Sequence, residues 1–430
     1  MPFRRYVMPL QGPFVVVADG PAPDVVEALR AAGAFPIIEA TWADAAAAVA
    51  SVEPEAMVLA ESGSDRQAAD KQAHALAGEL KKRAGPFIPV IARTREDAAP
   101  PVPDALVLSA SAPADWIARR LSVALRIRTL HATVLRRIGT LTARGEILPE
   151  LPQNDPLDDA TVLVAGRGRS YPELTVAVGE RVGLVGALSV ESAARALKAR
   201  DVDGMVIGEG FGPRVVEALL TVLAEDVRFR DLPVAVLGGH PGVVEEFSAH
   251  LPNLERLAEG PARLVERFLP FVRLHAFGER LKRMLKSLDA KGMIDPSTGL
   301  LGHEAFWRDL NRAVDDAEKR GVGLSIARFS FDAADRRCSL DAARLLTRLM
   351  RQVDFACREA DNSIFAVFTD TDLREAHVIA RRIASVIKHT MLTPDRRRAG
   401  VETAVTLATL KPTDNVASLI ARVVGGVAAR

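Results

Sequence analysis

Arg351-Gln-Val-Asp354 closes an amphipathic run and stands just ahead of Ala360-Asp361-Asn362-Ser363-Ile364. A guanidinium can donate two parallel hydrogen bonds to a planar pair of acceptors, and a carboxylate can accept from paired N–H donors. The same four-residue pattern recurs at Arg200/Asp203, Arg228/Asp231 and Arg312/Asp315. For an isolated instance the ordinary reading is a surface helix-end ion pair worth little. Cys357 reads as a core thiol, His303 as an exposed helix residue, and Arg396-Arg-Arg398 as a solvated loop.

The elements that must position these residues are bounded first by composition. A chain of 430 residues, 48% hydrophobic and with a net charge of +1, has apolar mass for about three single-core domains. No apolar run approaches the roughly 18 to 20 residues of a membrane span, and the amino end lacks a signal-peptide layout, so a cytoplasmic address is expected. Cys338 and Cys357, with no Cys-x-x-Cys and no clustered histidines, give neither a disulfide framework nor a zinc site. The balanced charge supplies no field for gripping nucleic acid, and no nucleic-acid partner is expected.

Short apolar runs punctuate the first part: Phe14–Ala18, Phe35–Ile38, Ala56–Ala60, Ile88–Ala92 and Ala105–Leu108. They alternate with helical stretches such as Pro23–Ala32 and Ala68–Lys82, the pattern of a doubly wound α/β domain with a parallel sheet covered on both faces. The scheme repeats with Thr161–Ala165, Val182–Val185, Gly204–Ile207, Pro233–Leu237 and Leu254–Leu257, which reads as an internal duplication. The Pro- and Asp-rich stretch Leu148–Pro156 has the composition of a linker between the two. A helix from about Pro270 to Leu288 carries Phe271, Leu274, Phe277, Leu281, Leu285 and Leu288 at helical spacing, and leads into the third part. Domain limits of 10–130, 158–275 and 292–426 follow.

Both repeats resemble response-regulator receiver domains, of flavodoxin-like fold, by pattern more than by motif. That resemblance implies an acidic pair and a phosphoacceptor Asp. Glu61 and Glu209 stand at the phosphoacceptor positions, Asp19 is the single acid after the first strand, and Ala165-Gly166-Arg167 replaces the acids in the second repeat. Without paired acids Mg²⁺ lacks its hard oxygen ligands. Docking and dimerisation are therefore the expected roles of these repeats.

From Asp295-Pro-Ser-Thr298-Gly-Leu300 to about Val424 the chain resembles a GGDEF (diguanylate cyclase) domain. The landmarks are the strand Leu324–Phe331, the segment Arg351–Phe368, the helix Asp372–His389 with Arg381-Arg382-Ile383, and the strand Glu402–Leu410. The resemblance implies an α/β fold, and it assigns Arg351, Asp354, Arg382 and, with less register support, Arg381 to a product-type site for cyclic di-GMP. It also shows what has gone. Cyclases need carboxylates to hold divalent metals at the reacting phosphates; here Ser330 takes the strand position and Ala360, Asp361, Asn362, Ser363 and Ile364 replace the glycine-rich signature. Side chains now occupy positions where glycines would let the backbone approach a triphosphate. The guanine-reading loop between strand and helix is missing, since Arg336-Arg-Cys-Ser339 runs straight into a helix.

The expectation is thus a pseudoenzyme with no catalytic residue, no metal and no cofactor, in which Mg²⁺ has no part. It would bind cyclic di-GMP, act on signalling proteins, form homodimers, and by its module order reside in the cytoplasm, at a cell pole as in some family members. Two alternatives stand beside it: a scaffold of three degenerate modules that binds only proteins, and a residual cyclase in which Asp332 or Asp335 replaces the lost acid.

Overall fold

The computed structural model describes residues 10–60, 66–95, 98–146, 154–238, 241–257, 261–331, 336–390 and 403–425. Glu61, Asp332, Asp335, Arg396–Arg398 and most of the expected linker lie outside the described residues. The fold is mixed α/β, with two parallel sheets and one antiparallel sheet. The chain divides into two compact units: Pro13–Arg128 with Glu150–Leu281, and Met1–Gly12 with Thr129–Pro149 and Lys282–Arg430.

In the first of these units, strands β1 (Gln11–Val17), β2 (Phe35–Ala40), β3 (Ala56–Leu59), β4 (Val90–Thr94) and β5 (Leu106–Ser109) form a sheet in the order β2-β1-β3-β4-β5. Helices α1 (Pro23–Ala31), α2 (Ala45–Ser51), α3 (Arg66–Lys82) and α4 (Asp115–Thr142) belong to this segment. A second sheet, from β6 (Thr161–Ala165), β7 (Gly183–Ala187), β8 (Gly204–Ile207), β9 (Val234–Leu237) and β10 (Leu254–Leu257), runs β10-β9-β8-β6-β7. Its helices are α5 (Tyr171–Gly179), α6 (Val190–Ala199), α7 (Pro213–Glu225), α8 (Pro241–Phe247) and α9 (Pro261–Asp289). Both sheets have the 2-1-3-4-5 order of flavodoxin-like folds. The central strands β3, β8 and β9 are buried at every position, as continuous apolar runs require when both faces are covered. Helix α4 continues to Thr142, with Leu130, Val134 and Leu141 extending its buried stripe past the break between the two units at Arg128.

The other unit is built on strands β11 (Leu324–Phe331), β12 (Phe355–Arg358), β13 (Ile364–Thr369) and β14 (Thr403–Thr409), antiparallel in the order β12-β13-β11-β14. Helices α10 (His303–Arg320), α11 (Arg336–Leu349), α12 (Leu373–Thr390) and α13 (Val416–Gly425) complete it. Alternation splits the sheet's side chains between its faces. Ala327, Phe329, Ala366 and Phe368 pack with Ala342 and Leu346 of α11 and Ala380 and Ile383 of α12. Phe355 and Phe365 meet Phe306 and Trp307 of α10. Helix α10 stops at Gly321, whose left-handed backbone (φ 63°) lets its N–H and that of Val322 cap the last turn.

The buried stripe of α10 includes a carboxylate. Asp309 is fully buried and is met by Arg136, whose Nε lies 2.9 Å away, and by Arg137; both arginines come from the carboxyl half of α4. Burial alone would raise the Asp309 carboxyl, but Arg137 and Arg136 outweigh it and hold it below the ordinary carboxylate range. The same arginines lie over the Phe355 ring, at 5.1 and 5.5 Å.

Candidate functional site

Two neighbourhoods of the antiparallel unit hold the residues singled out by their types and spacing. The first is the β12–β13 turn. Arg358 pairs with Ile364, and Glu359 to Ser363 close the hairpin through Glu359 N–H to Ser363 O (2.8 Å) and Asn362 N–H to Glu359 O (3.0 Å). Asn362 adopts φ 66°, a left-handed conformation that asparagine tolerates better than most residues. Its Oδ1 accepts from Arg358 Nη1 at 2.8 Å.

Strand β11 lies beside β13, and Arg328 reaches this turn from it. Its Nη2 donates to Asp361 Oδ2 at 2.6 Å, and its Nε to Ser363 Oγ at 3.2 Å. Ser363 in turn donates from N and Oγ to Asp361 Oδ1, at 2.9 and 2.6 Å. Burial works against the Asp361 charge, but the Ser363 hydrogen bonds together with Arg328 outweigh it and hold the carboxyl below the ordinary range. Ser330 shares Arg328's face of the strand, two residues on. A divalent cation at this edge would meet a neutral hydroxyl and a carboxylate already engaged by a guanidinium. Among the described residues no three His, Cys, Asp or Glu side chains are grouped to hold a metal ion. Ala360 and Asp361 are exposed at the tip, and Cys357 is buried, its thiol pushed up by burial, with its Sγ 3.2 Å from Glu359 Oε1.

The second neighbourhood lies where α11 gives way to β12. Arg351 is outside the helix, in the turn that brings Asp354 N–H to Arg351 O at 3.1 Å. The guanidinium grips Asp354 with two bonds, Nε to Oδ2 at 3.0 Å and Nη2 to Oδ1 at 2.9 Å. Nη2 also donates to Thr369 O and Thr371 Oγ1, each at 2.8 Å. Thr369 N–H completes the Asp354 set at 3.2 Å. The Asp354 side chain is 1% exposed and that of Arg351 34%, so the pair is a buried carboxylate with a partly open guanidinium rather than the exposed pair that the isolated motif suggests. Burial works against the Arg351 charge, yet the Asp354 carboxylate keeps its pKa above the ordinary value.

Further carboxylates surround this arginine. Asp370, in a left-handed turn (φ 47°), accepts from Thr129 Oγ1 of α4 and from Arg320 Nη2 of α10 at 3.3 Å. Glu375, in the first turn of α12, has a buried Oε2 with no hydrogen-bond partner. Burial, reinforced by Asp372 and opposed by Arg351, raises Glu375 to about 7. Arg382 lies seven residues past Glu375, on the same face of α12 and two turns along, about 10 Å by helix rise. Arg381 is the adjacent residue, and both are exposed, off the buried stripe of Ala376, Ala380 and Ile383.

Arg351 and Asp354 are therefore brought together, while Arg381 and Arg382 stand further along a helix that begins beside them. Sequence reasoning took Asp370-Thr371 as a landmark of the resemblance but gave it no part in the site, and it missed Glu375 and the α4 contacts. One signal was present: Asp309 interrupts the apolar spacing of Phe306, Leu310 and Ala313.

Of the phosphoacceptor positions, Glu209 follows β8 and serves its loop. Its side chain accepts from Ser170 Oγ at 3.0 Å, and its backbone oxygen accepts from the N–H groups of Arg167 and Gly168, both at 3.1 Å. Thr94, ending β4, is buried with an unpartnered hydroxyl.

No protein-family profile matches this chain, and no curated protein sequence matches it. Among solved structures, the coiled coil and GGDEF domain of DgcB from Caulobacter crescentus, in complex with c-di-GMP, is 21% identical, covers 34% of this chain and 84% of its own, and has a TM-score of 0.29. The GGDEF domain of FimX from Pseudomonas aeruginosa is 16% identical over 31% of this chain and 90% of its own, with a TM-score of 0.28. The diguanylate cyclase SiaD in complex with its activator SiaC, also from Pseudomonas aeruginosa, is 15% identical over 49% and 92%, with a TM-score of 0.30. Likeness of this size identifies neither the family nor the function of the chain.

Proposed function

We propose that this chain is a catalytically inactive relative of the diguanylate cyclases that acts as a cyclic di-GMP receptor and relays binding through contacts with other proteins. The loss of catalysis rests on one observation: the Arg328 guanidinium engages the only carboxylate of the signature turn, beside a serine where the metal-binding acid is expected. Phosphoryl transfer at that edge would lack the anionic oxygens that fix divalent metals.

The receptor role rests on Arg351. Its side chain is 34% exposed, guanidinium groups suit guanine edges and phosphates, and Arg382 supplies a second cation further along α12, with Arg381 beside it. In the closed arrangement Asp354 positions Arg351. It would read the guanine N1 and N2 edge only after the guanidinium has swung off it.

A scaffold that binds no nucleotide is the second reading. It is favoured by the complete use of Asp354 within the protein and by the carboxylates of Asp370, Asp372 and Glu375 near the same arginine. Calorimetric titration separates the two. With cyclic di-GMP, micromolar binding that weakens in Arg382→Ala and Arg351→Lys, with no turnover of GTP and Mg²⁺, is the receptor result. No heat from folded wild-type protein leaves the scaffold. Arg351→Lys is preferred to alanine because it keeps a cation beside the buried Asp354.

A further inference from the structure

A cavity of about 440 Å³ lies between the two parallel sheets, at the carboxyl end of β5 and along the length of β10. Small-molecule sites span roughly 300 to 1,000 Å³. The cavity exists because the two edge strands do not pair with each other. Arg120 bridges them instead: it donates to Val107 O of the first sheet and to Leu254 O of the second at 3.3 Å, and it pairs with Glu255. The Arg120 side chain is 1% exposed and lines the cavity, and its Nε has no hydrogen-bond partner.

The rest of the lining has a definite chemistry. Arg256, Arg263 and Arg267 join Arg120 in the lining beside the carboxylates Glu245 and Glu255, and Arg263 Nη1 lies 3.8 Å from Glu266 Oε2. Trp116, Leu108 and Val244 also line it. Arginines suit phosphate oxygens, and aromatic faces accept flat rings. We infer that this cavity binds a flat-ringed phosphate ester of mononucleotide size, the phosphate held by Arg256 and Arg263 and the ring laid against Trp116.

The site is independent of Arg351 and does not rest on the cyclic di-GMP reading. AMP is a suitable probe, because adenine lacks the O6 and N7 acceptor pair that a guanine-reading arginine requires. Full-length protein is titrated with AMP and, in parallel, with inorganic phosphate, by calorimetry and by tryptophan emission. Saturable AMP binding with an emission change is expected, weakened about tenfold or more when Arg256→Ala and Arg263→Ala are combined, which corresponds to about 1.4 kcal/mol. Trp116→Phe should keep the binding heat and lose the emission change. Arg351→Lys should leave the titration unaltered.

Absence of AMP binding to folded wild type, or undiminished binding by the folded double variant, overturns the site. Phosphate binding as tight as AMP overturns the ring contact, and loss of AMP binding in Arg351→Lys overturns the location. Circular dichroism and a thermal melt of each variant separate lost binding from lost folding.

Discussion

Arg328–Asp361 at the hairpin turn and Arg351–Asp354 after α11 are both close arginine–carboxylate contacts, at 2.6 and 2.9 Å. Their surroundings differ. Asp361 is 53% exposed on its side chain, whereas Asp354 is 1% exposed. An exposed pair contributes little because water and salt solvate each partner nearly as well. A buried pair is costly to break because it leaves a charge without solvent. The turn is therefore free to vary at small cost to the fold, while the Arg351 cluster is bound into it.

Stability measurements can break this comparison most directly. Asp354→Ala strands Arg351 and the Thr369 N–H, and should lower unfolding free energy by about 3 to 5 kcal/mol in urea titrations. The corresponding Asp361→Ala should cost no more than about 1 kcal/mol. Equal losses would sink the distinction. Replacing Arg351 and Asp354 together by Met and Leu should recover much of the loss, since no charge is left unpaired.

A smaller effect concerns the ligand. Arg382→Ala should weaken cyclic di-GMP binding by about tenfold, roughly 1.4 kcal/mol, while changing stability by no more than about 0.5 kcal/mol. A loss of both together would mean that the exposed arginine supports the fold.

Smallest is a pH effect at Glu375. Its folded pKa of about 7 lies above the ordinary glutamate value of 4.5, so the folded chain holds this proton more tightly than the unfolded one. The associated stability is fully present below the lower value and is lost as pH rises through the upper one. Deprotonation also places a negative charge near Arg351. Cyclic di-GMP affinity should therefore rise a few-fold from about pH 8 to about pH 6, and Glu375→Gln should flatten the dependence. A slope that survives in Glu375→Gln would assign it to another group.

Much of the architecture was legible in the chain because continuous apolar runs leave few alternatives. Thr161–Ala165, Gly204–Ile207, Leu254–Leu257 and Leu324–Phe331 were read at the limits the structure shows. Others moved by a residue or two, as Val234–Leu237 did. The α2 helix, an alanine-rich stretch with weak periodicity, gave no such signal. At the candidate site, Arg351 and Asp354 were named from the register of the resemblance, since their spacing alone recurs elsewhere in the chain. Their burial was not legible, since it depends on Thr369, Thr371 and Asp370, which local spacing does not connect to them. The Arg328–Asp361 contact joins residues 33 positions apart through strand register and could not be read locally.

Asp309 has a consequence for how this protein can be cut or inherited. Its two arginine partners come from residues 136 and 137, more than a hundred positions upstream, beyond the whole second parallel sheet. A fragment beginning near residue 292 would contain every strand of the antiparallel sheet and still bury an uncompensated carboxylate. The portable piece of this module is thus discontinuous in sequence. Recombination that moved only the carboxyl-terminal segment into another chain would deliver a sheet without the counter-charges that let it close.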